Sequence, residues 1–195
     1  QVMPEDFIRA LVLIKSIAAK TNAELNCLDK NISDAIVSAS SNLLEDPKLM
    51  SHFPLDVFQT GSGTSSNMNA NEVIATLASR IAGEEVNPND HVNFGQSSND
   101  VIPTTIHVSA AMSSRRTLIP ALEALRDEII QKADSVRGYS KTGRTHLMDA
   151  MPIRMDQSLL SWADQIDAGI SGVDRALTYV CTLGLGGTAV GTGIN

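Results

Sequence analysis

Apolar residues recur along this chain at alternating steps of three and four. Examples are Phe7, Leu11, Ile14 and Ala18; Leu118, Leu122, Leu125 and Ile129; and Leu159, Trp162, Ile166, Ile170, Val173, Leu177 and Val180. This alternation keeps one apolar stripe on a helix, and its simplest explanation is core packing. It predicts a mainly α fold with helices over 4–25, 30–45, 68–82, 100–136 and 152–181, and Pro120 predicts a bend in the fourth.

Composition narrows the class of protein. The chain has 195 residues, a net charge of −7 and 43% hydrophobic residues, of which few are aromatic. The acidic balance argues against a nucleic-acid partner, and runs as short as Ala10 to Ile14 are too short to span a membrane. Two cysteines far apart in sequence, Cys27 and Cys181, fit a reducing compartment. We therefore expect a cytoplasmic protein.

Four segments between the helices are polar and glycine-rich, namely 54–67, 83–99, 138–151 and 182–195. Three of them carry runs of uncharged hydrogen-bonding residues: GSGTSSNMNAN (61–71), GQSSND (95–100) and GRTH (143–146). Pro103 indicates a helix start close to Asn99 or Asp100, and Pro152 indicates one soon after the third run. A single run of this kind most often caps a helix. Three runs at helix starts offer more donors than capping uses, and they predict a site for a small dianion, which carries carboxylates or phosphates.

The sequence offers one candidate for acid/base chemistry. His146 follows Arg144 and Thr145, and its reference pKa of about 6.5 suits proton transfer. His91 lies in a polar loop, and the sequence is consistent either with a structural role or with a place in a functional site. Histidine and cysteine spacings typical of metal sites do not occur, so we expect no metal ligated by this chain. The G-x-G-x-x-A run at 184–189 follows a predicted helix, which argues against a dinucleotide site.

Four blocks resemble the class II fumarase branch of the fumarase/aspartase superfamily. They are GSGTSSNMNANE, VNPNDHVNFGQSSNDVIPT, GRTHLMDAMP and LGLGGTAVGTGIN, in the order and spacing of that family. Thr145-His146 and Ser97-Ser98-Asn99 follow the fumarase form, since aspartases typically carry glutamine in place of His146 and threonine as the second residue of the other run.

The resemblance implies reversible hydration of fumarate to L-malate without a metal or organic cofactor. It implies substrate binding by Ser62, Gly63, Thr64, Ser97, Ser98, Asn99 and Thr145. His146 matches the family histidine that activates water together with a glutamate. The family fold has a small N-terminal helical domain and a long-helix bundle, which the resemblance places here at 1–96 and 97–195. Family members are homotetramers whose active sites each draw on three subunits.

Two departures from the family limit what the resemblance implies. The mobile loop with the proton-abstracting serine, and the glutamate partner of His146, belong to later blocks absent from these 195 residues. We therefore expect part of a longer chain, inactive by itself. A secondary anion site matches Asn87, Pro88, Asn89 and Asp90, but fumarases commonly have histidine in place of Asn87 and a basic residue in place of Glu84. This loop is closer to aspartase. Aspartate ammonia-lyase and a non-catalytic helical assembly module therefore stay open as alternatives.

Overall fold

The computed structural model describes residues 1–194 and confirms a mainly helical fold. Its helices are α1 (Glu5–Glu24), α2 (Lys30–Glu45), α3 (Thr64–Ala82), α4 (Ser98–Ser113), α5 (Ile119–Ser135) and α6 (Met155–Val180). Short helical turns cover Leu49–His52, Pro88–Val92 and Ser114–Leu118. Two strands, β1 (Ser140–Thr145) and β2 (Met148–Arg154), form one antiparallel hairpin. No helix among the described residues is both long and apolar enough to cross a membrane.

The described chain forms two compact units. The first contains residues 1–110 and 182–195, and the second contains 111–181. The domain boundary predicted near residue 97 coincides with the start of α4 at Ser98, and it stays a prediction for the complete protein. The assignment of segment 182–195 to the second domain of the complete protein likewise stays a prediction. Residues 182–194 pack in the first unit. One reason is that the Asp100 carboxylate accepts backbone N–H bonds from Gly186 and Thr188.

The core of the first unit lies where α2 packs against α1 and α3. The apolar stripe of α1 is buried through Ile8, Leu11 and Val12, which pack with Ile36 of α2 and Ile74 of α3. The Asp29 carboxylate caps α2 by accepting the N–H groups of Asn31 and Ile32. The apolar stripe of α1, and the stripe together with the cap of α2, explain why both helices begin and end within one residue of their predicted bounds.

The second unit is built on α5 and α6, which pack along each other. Its small buried cluster consists of Ile119, Ile170 and Leu177. The helix predicted over 100–136 is interrupted, because residues 114–118 form a π-helical turn between α4 and α5. Pro120 lies in the first turn of α5, where its missing N–H costs no helical hydrogen bond. The irregular part of this helical segment is therefore the π-helical turn over residues 114–118, which lies before Pro120 and not at it.

Two other expectations were wrong. Helix α3 begins at Thr64, four residues before the predicted start, so Ser65, Ser66 and Asn67 are helical. The sequence pattern predicts no strand in the polar segment 138–151, but this segment contains β1 and part of β2. Pro152 pairs with Thr142 in the hairpin and does not lie in the first turn of a helix, since α6 begins at Met155.

Candidate functional site

The start of α3 carries the first group of predicted binding residues. Gly63 precedes the helix with a left-handed backbone (φ 78°), a conformation that favours glycine. The helix is capped by Thr60, whose hydroxyl oxygen accepts the Ser65 N–H at 3.1 Å. The exposed hydroxyls of Ser62 and Thr64 lie 3.1 Å apart, and the Thr64 N–H has no partner within residues 1–194. The Ser62 hydroxyl donates to the Thr60 carbonyl at 2.9 Å, so the Thr64 N–H is a backbone donor that this helix start keeps for a ligand.

The start of α4 carries the second group. Ser97 and Asp100 cap the helix reciprocally: the Ser97 hydroxyl accepts the Asn99 N–H at 3.2 Å, and the Asp100 carboxylate accepts the Ser97 N–H at 2.9 Å. The Ser97 side chain thus serves as a cap, which was the simpler explanation for such residues. The Ser98 N–H has no partner in the described part of the chain.

The structure brings these two helix starts side by side. The Asn67 side-chain amide donates to the Ser98 hydroxyl oxygen at 3.0 Å. A Cβ atom at Gly63 would lie 3.0 Å from the side chain of Ile102, so the Ile102 side chain of α4 packs in the space that glycine leaves before α3. Each helix N-terminus carries about half a positive charge. Two adjacent N-termini lined with hydroxyls and amides provide positive potential without a cationic side chain at the surface.

Asn99 lies at the exposed edge of this surface. Its side-chain amide donates to the Ala189 carbonyl at 2.8 Å, which ties the start of α4 to the glycine-rich segment after α6. The buried Asp100 carboxylate strengthens this connection by accepting the Gly186 and Thr188 N–H groups at 3.1 and 2.8 Å. Segment 184–189 therefore supports the helix start through hydrogen bonds between its backbone groups and the side chains of Asn99 and Asp100.

Sequence reasoning missed a buried cation in the same unit. Lys15 of α1 has no exposed surface, and its ammonium donates to Asn93 Oδ1 at 2.8 Å and Gln96 Oε1 at 2.9 Å. Burial lowers the pKa of Lys15 to about 7, although the negative charge of Asp100 acts in the opposite direction. The signal was present in the sequence, because Lys15 lies four residues after Leu11 and three before Ala18, on the apolar stripe.

Thr145 and His146 lie in the second unit, at the tip of the hairpin. His146 and Leu147 form its two-residue turn with φ of 52° and 63°, and Thr145 pairs with Met148 across it. Such turns need left-handed residues, usually Asn-Gly, so this one holds two ordinary side chains in an unfavourable conformation. Both predicted residues are exposed. The expected helix start beside them is wrong, because β2 intervenes before α6.

One ion pair joins the two strands of the hairpin, and a second joins the end of β2 to the start of α6. Arg144 Nε lies 3.2 Å from the Asp149 carboxylate across the strands. The Arg154 guanidinium donates two hydrogen bonds to Asp156 in the first turn of α6, and these bonds hold the pKa of that carboxyl below its usual range. A Cβ atom at Gly143 would lie 2.6 Å from the Met151 carbonyl oxygen, so the strands can approach this closely only with glycine there.

The loop that matches the family's secondary anion site has its own internal hydrogen bonds. Asn87 Oδ1 accepts the N–H groups of Asn89 and Asp90 at 2.8 and 3.0 Å, and Pro88 begins the π-helical turn. The Asn87 N–H donates to His91 Nδ1 at 3.0 Å, which gives His91 a structural role. Among the residues that the structure describes, no three His, Cys, Asp or Glu side chains are grouped as a metal site would require.

Comparison with known proteins adds an independent result. A family model described as "Lyase" matches residues 2–195. The chain is 57% identical over its whole length to "Fumarate hydratase class II 2" of Pseudomonas aeruginosa, and 51% identical over 99% of its length to "Fumarate hydratase class II" of Xylella fastidiosa. It spans 42% and 41% of these two relatives. The structure superposes on a crystal structure of class II fumarase from Schistosoma mansoni with a TM-score of 0.94 at 39% identity, covering 99% of this chain and 41% of that one.

Proposed function

This chain belongs to the lyase family, and from that premise we propose that the complete protein is a class II fumarate hydratase, which interconverts fumarate and L-malate. The observation that carries the proposal is the pairing of the α3 and α4 starts through Asn67 and Ser98. The names of the relatives support the same assignment. Since the chain spans about two fifths of those relatives, the proposal concerns the complete gene product.

We assign carboxylate binding to the neutral donors of the first unit. They are Ser62, Gly63, Thr64, Ser97, Ser98 and Asn99. Removing a proton from the carbon next to a carboxylate of L-malate moves negative charge onto that carboxylate. Fixed N–H and O–H donors stabilise this aci-carboxylate, and they need no reorganisation during the reaction. The hydroxide at the neighbouring carbon then leaves with a proton as water, giving fumarate.

We assign proton transfer at the leaving water to His146, and a substrate contact to Thr145. The exposed imidazole at the tip of a two-residue turn reaches beyond its own strands, as a group that acts on a substrate must. By the family resemblance each active site draws on three subunits, and we propose that His146 of one subunit and the neutral donors of another act on the same substrate molecule. We do not extend the proposal to a secondary anion site, because Asn87 already occupies the N–H groups of Asn89 and Asp90.

We also propose that the complete protein is a homotetramer built around its long helices. The second unit buries few of its apolar side chains, and several large ones on α5 and α6 are exposed, including Leu125, Ile130, Leu160 and Trp162. Apolar stripes of this length need other helices to cover them. Both cysteines are free thiols, which supports our placement of the protein in the cytoplasm.

The second candidate is an aspartate ammonia-lyase, favoured by Asn87 at a position where fumarases commonly have histidine. Both activities produce fumarate, so one assay separates them. The complete gene product is incubated with L-malate or with L-aspartate, and fumarate is followed by its ultraviolet absorbance. Fumarate formed from L-malate alone supports the hydratase. Fumarate formed from L-aspartate alone supports the ammonia-lyase. If neither substrate yields fumarate, the result supports a non-catalytic helical assembly module.

A further inference from the structure

Lys15 is an unexpected residue in the core of the first unit. Its side chain is fully buried on the apolar face of α1, where a charged group is costly. An apolar residue of the same volume would pack there without that cost, and replacing buried ions by such residues is often neutral or stabilising. Packing alone therefore does not explain a lysine at this position.

The ammonium of Lys15 fixes the orientation of two side-chain amides. Because an ammonium only donates, Asn93 and Gln96 must each turn their oxygen toward it. Their nitrogens then point the other way. Asn93 Nδ2 donates to the Gln96 carbonyl at 3.1 Å, and Gln96 Nε2 donates to the Val92 and Phe94 carbonyls at 3.1 and 3.2 Å. The whole turn over residues 92–96 is thus set around Lys15.

This network continues to both helix starts of the candidate site. Asn93 Oδ1 also accepts from Asn67 Nδ2 at 3.3 Å, and the same Asn67 amide donates to Ser98 at 3.0 Å. Gln96 directly precedes Ser97. The buried Asp100 carboxylate, which attracts the ammonium, accepts the Ser97 N–H on the other side of the turn. Two paths from Lys15, through Asn93 and through Gln96, therefore reach residues of the α4 start.

We propose that Lys15 is a positioning residue: it orients Asn93 and Gln96, and through them it sets where the Ser97, Ser98 and Asn99 donors lie. The functional part of this inference rests on the proposed dicarboxylate site. The structural part does not, because it concerns only how the turn is held. In the absence of Lys15, the buried Gln96 Oε1 has no other partner within residues 1–194, and the turn must rearrange.

The structural part is tested on the 195-residue chain by NMR. Lys15→Met keeps the volume and removes the ammonium. Ile36→Ala is the control, because Ile36 is equally buried but has an apolar side chain that makes no hydrogen bond in the network. We expect the backbone amide resonances of Ser97, Ser98 and Asn99 to shift in Lys15→Met and to stay near their original positions in Ile36→Ala. Unshifted resonances in a folded Lys15→Met chain would overturn the proposal, as would equal shifts in both variants.

The functional part is tested in the complete gene product by a double-mutant cycle of Lys15→Met and Gln96→Met. Each single variant is expected to raise the KM for fumarate about tenfold and to lower kcat as well, because the displaced donors bind both the substrate carboxylate and its aci form. If Lys15 acts through Gln96, the KM of the double variant is no higher than the KM of the more impaired single variant. Multiplied effects, or an unchanged KM, would refute the positioning role. A wild-type protein without hydratase activity would refute the proposed function, while the NMR result would still decide whether Lys15 sets the turn.

Discussion

The side-chain amide of Asn67 donates to the hydroxyl oxygen of Ser98 at 3.0 Å, and this contact joins the starts of α3 and α4. A serine hydroxyl has one donor and two acceptor positions. Because Asn67 occupies an acceptor position, the hydroxyl hydrogen of Ser98 remains available for a ligand. The contact therefore makes Ser98 a donor toward an anion, in agreement with the neutral donors around it.

Replacing Asn67 by aspartate should reverse this arrangement. The new carboxylate would accept the Ser98 hydroxyl hydrogen and repel a dianion, so we expect the KM for fumarate to rise at least about tenfold in the complete gene product. Asn69→Asp is the matched control, since it adds the same charge to α3 while Asn69 contacts the His52 carbonyl. Steady-state kinetics of both variants measure the difference. Equal KM values would show that the charge at the α3 start does not matter.

The buried ammonium of Lys15 predicts how stability depends on pH. Its pKa of about 7 in the folded chain lies below the ordinary value of 10.5, so the unfolded chain binds more protons between these values. The free energy of unfolding should therefore rise with pH in this window, by at most about 1.4 kcal/mol per pH unit. Below pH 7 the full penalty of burying the charge is present.

Urea unfolding of the 195-residue chain from pH 7 to pH 9.5 measures this dependence. Lys15→Met should flatten the rise, whereas Lys20→Met, which removes an exposed ammonium of the same helix, should leave it unchanged. A wild-type slope that persists in Lys15→Met would mean that another group causes it.

The hairpin should depend on glycine at position 143. Alanine would place its Cβ about 2.6 Å from the Met151 carbonyl oxygen, and we expect a loss of about 2 kcal/mol in stability with disruption of the β1–β2 pairing. Gly169→Ala is the control inside exposed α6, where no atom would approach the Cβ within 4 Å. It should gain about 0.5–1 kcal/mol by helix propensity. Urea unfolding compares the two, and a Gly143→Ala chain as stable as wild type would show that the strands separate easily.

Substitution of His146 tests its assigned role in proton transfer. His146→Asn should lower the rate of fumarate formation from L-malate by about 100-fold or more in the complete gene product. His107→Asn removes an imidazole that contacts the Thr182 carbonyl, and it should leave the rate within about twofold. Retained activity in His146→Asn would remove His146 from the mechanism.

The sequence predicted the helices best where an apolar stripe and a cap agree. Helix α2, with Asp29 before it, matches its predicted bounds, and α1 lies within one residue. The start of α3 was misplaced because Ser65, Ser66 and Asn67 favour loops as isolated residues. In the structure, Asn67 is helical because its side chain is held by Asn93 and Ser98. Such long-range partners leave no local signal.

The hairpin was missed for a similar reason. Neither SKTGRT nor MDAMPIR alternates apolar and polar residues, and His146-Leu147 lacks the Asn-Gly signature of a two-residue turn. The candidate residues at the starts of α3 and α4 were identified from uncharged donors before helices. The support that Lys15 gives to these residues was not identified from the sequence, although a lysine on an apolar stripe predicts a buried charge that needs partners.

A crystal structure of the complete gene product with fumarate bound tests the central claim most directly. Our account predicts that one carboxylate of fumarate lies within about 3.2 Å of donors from both the Thr64 and the Asn99 helix starts, with His146 lining the same cavity. The account is contradicted if fumarate binds elsewhere, or if Thr64, Asn99 and His146 face separate regions of the assembled protein.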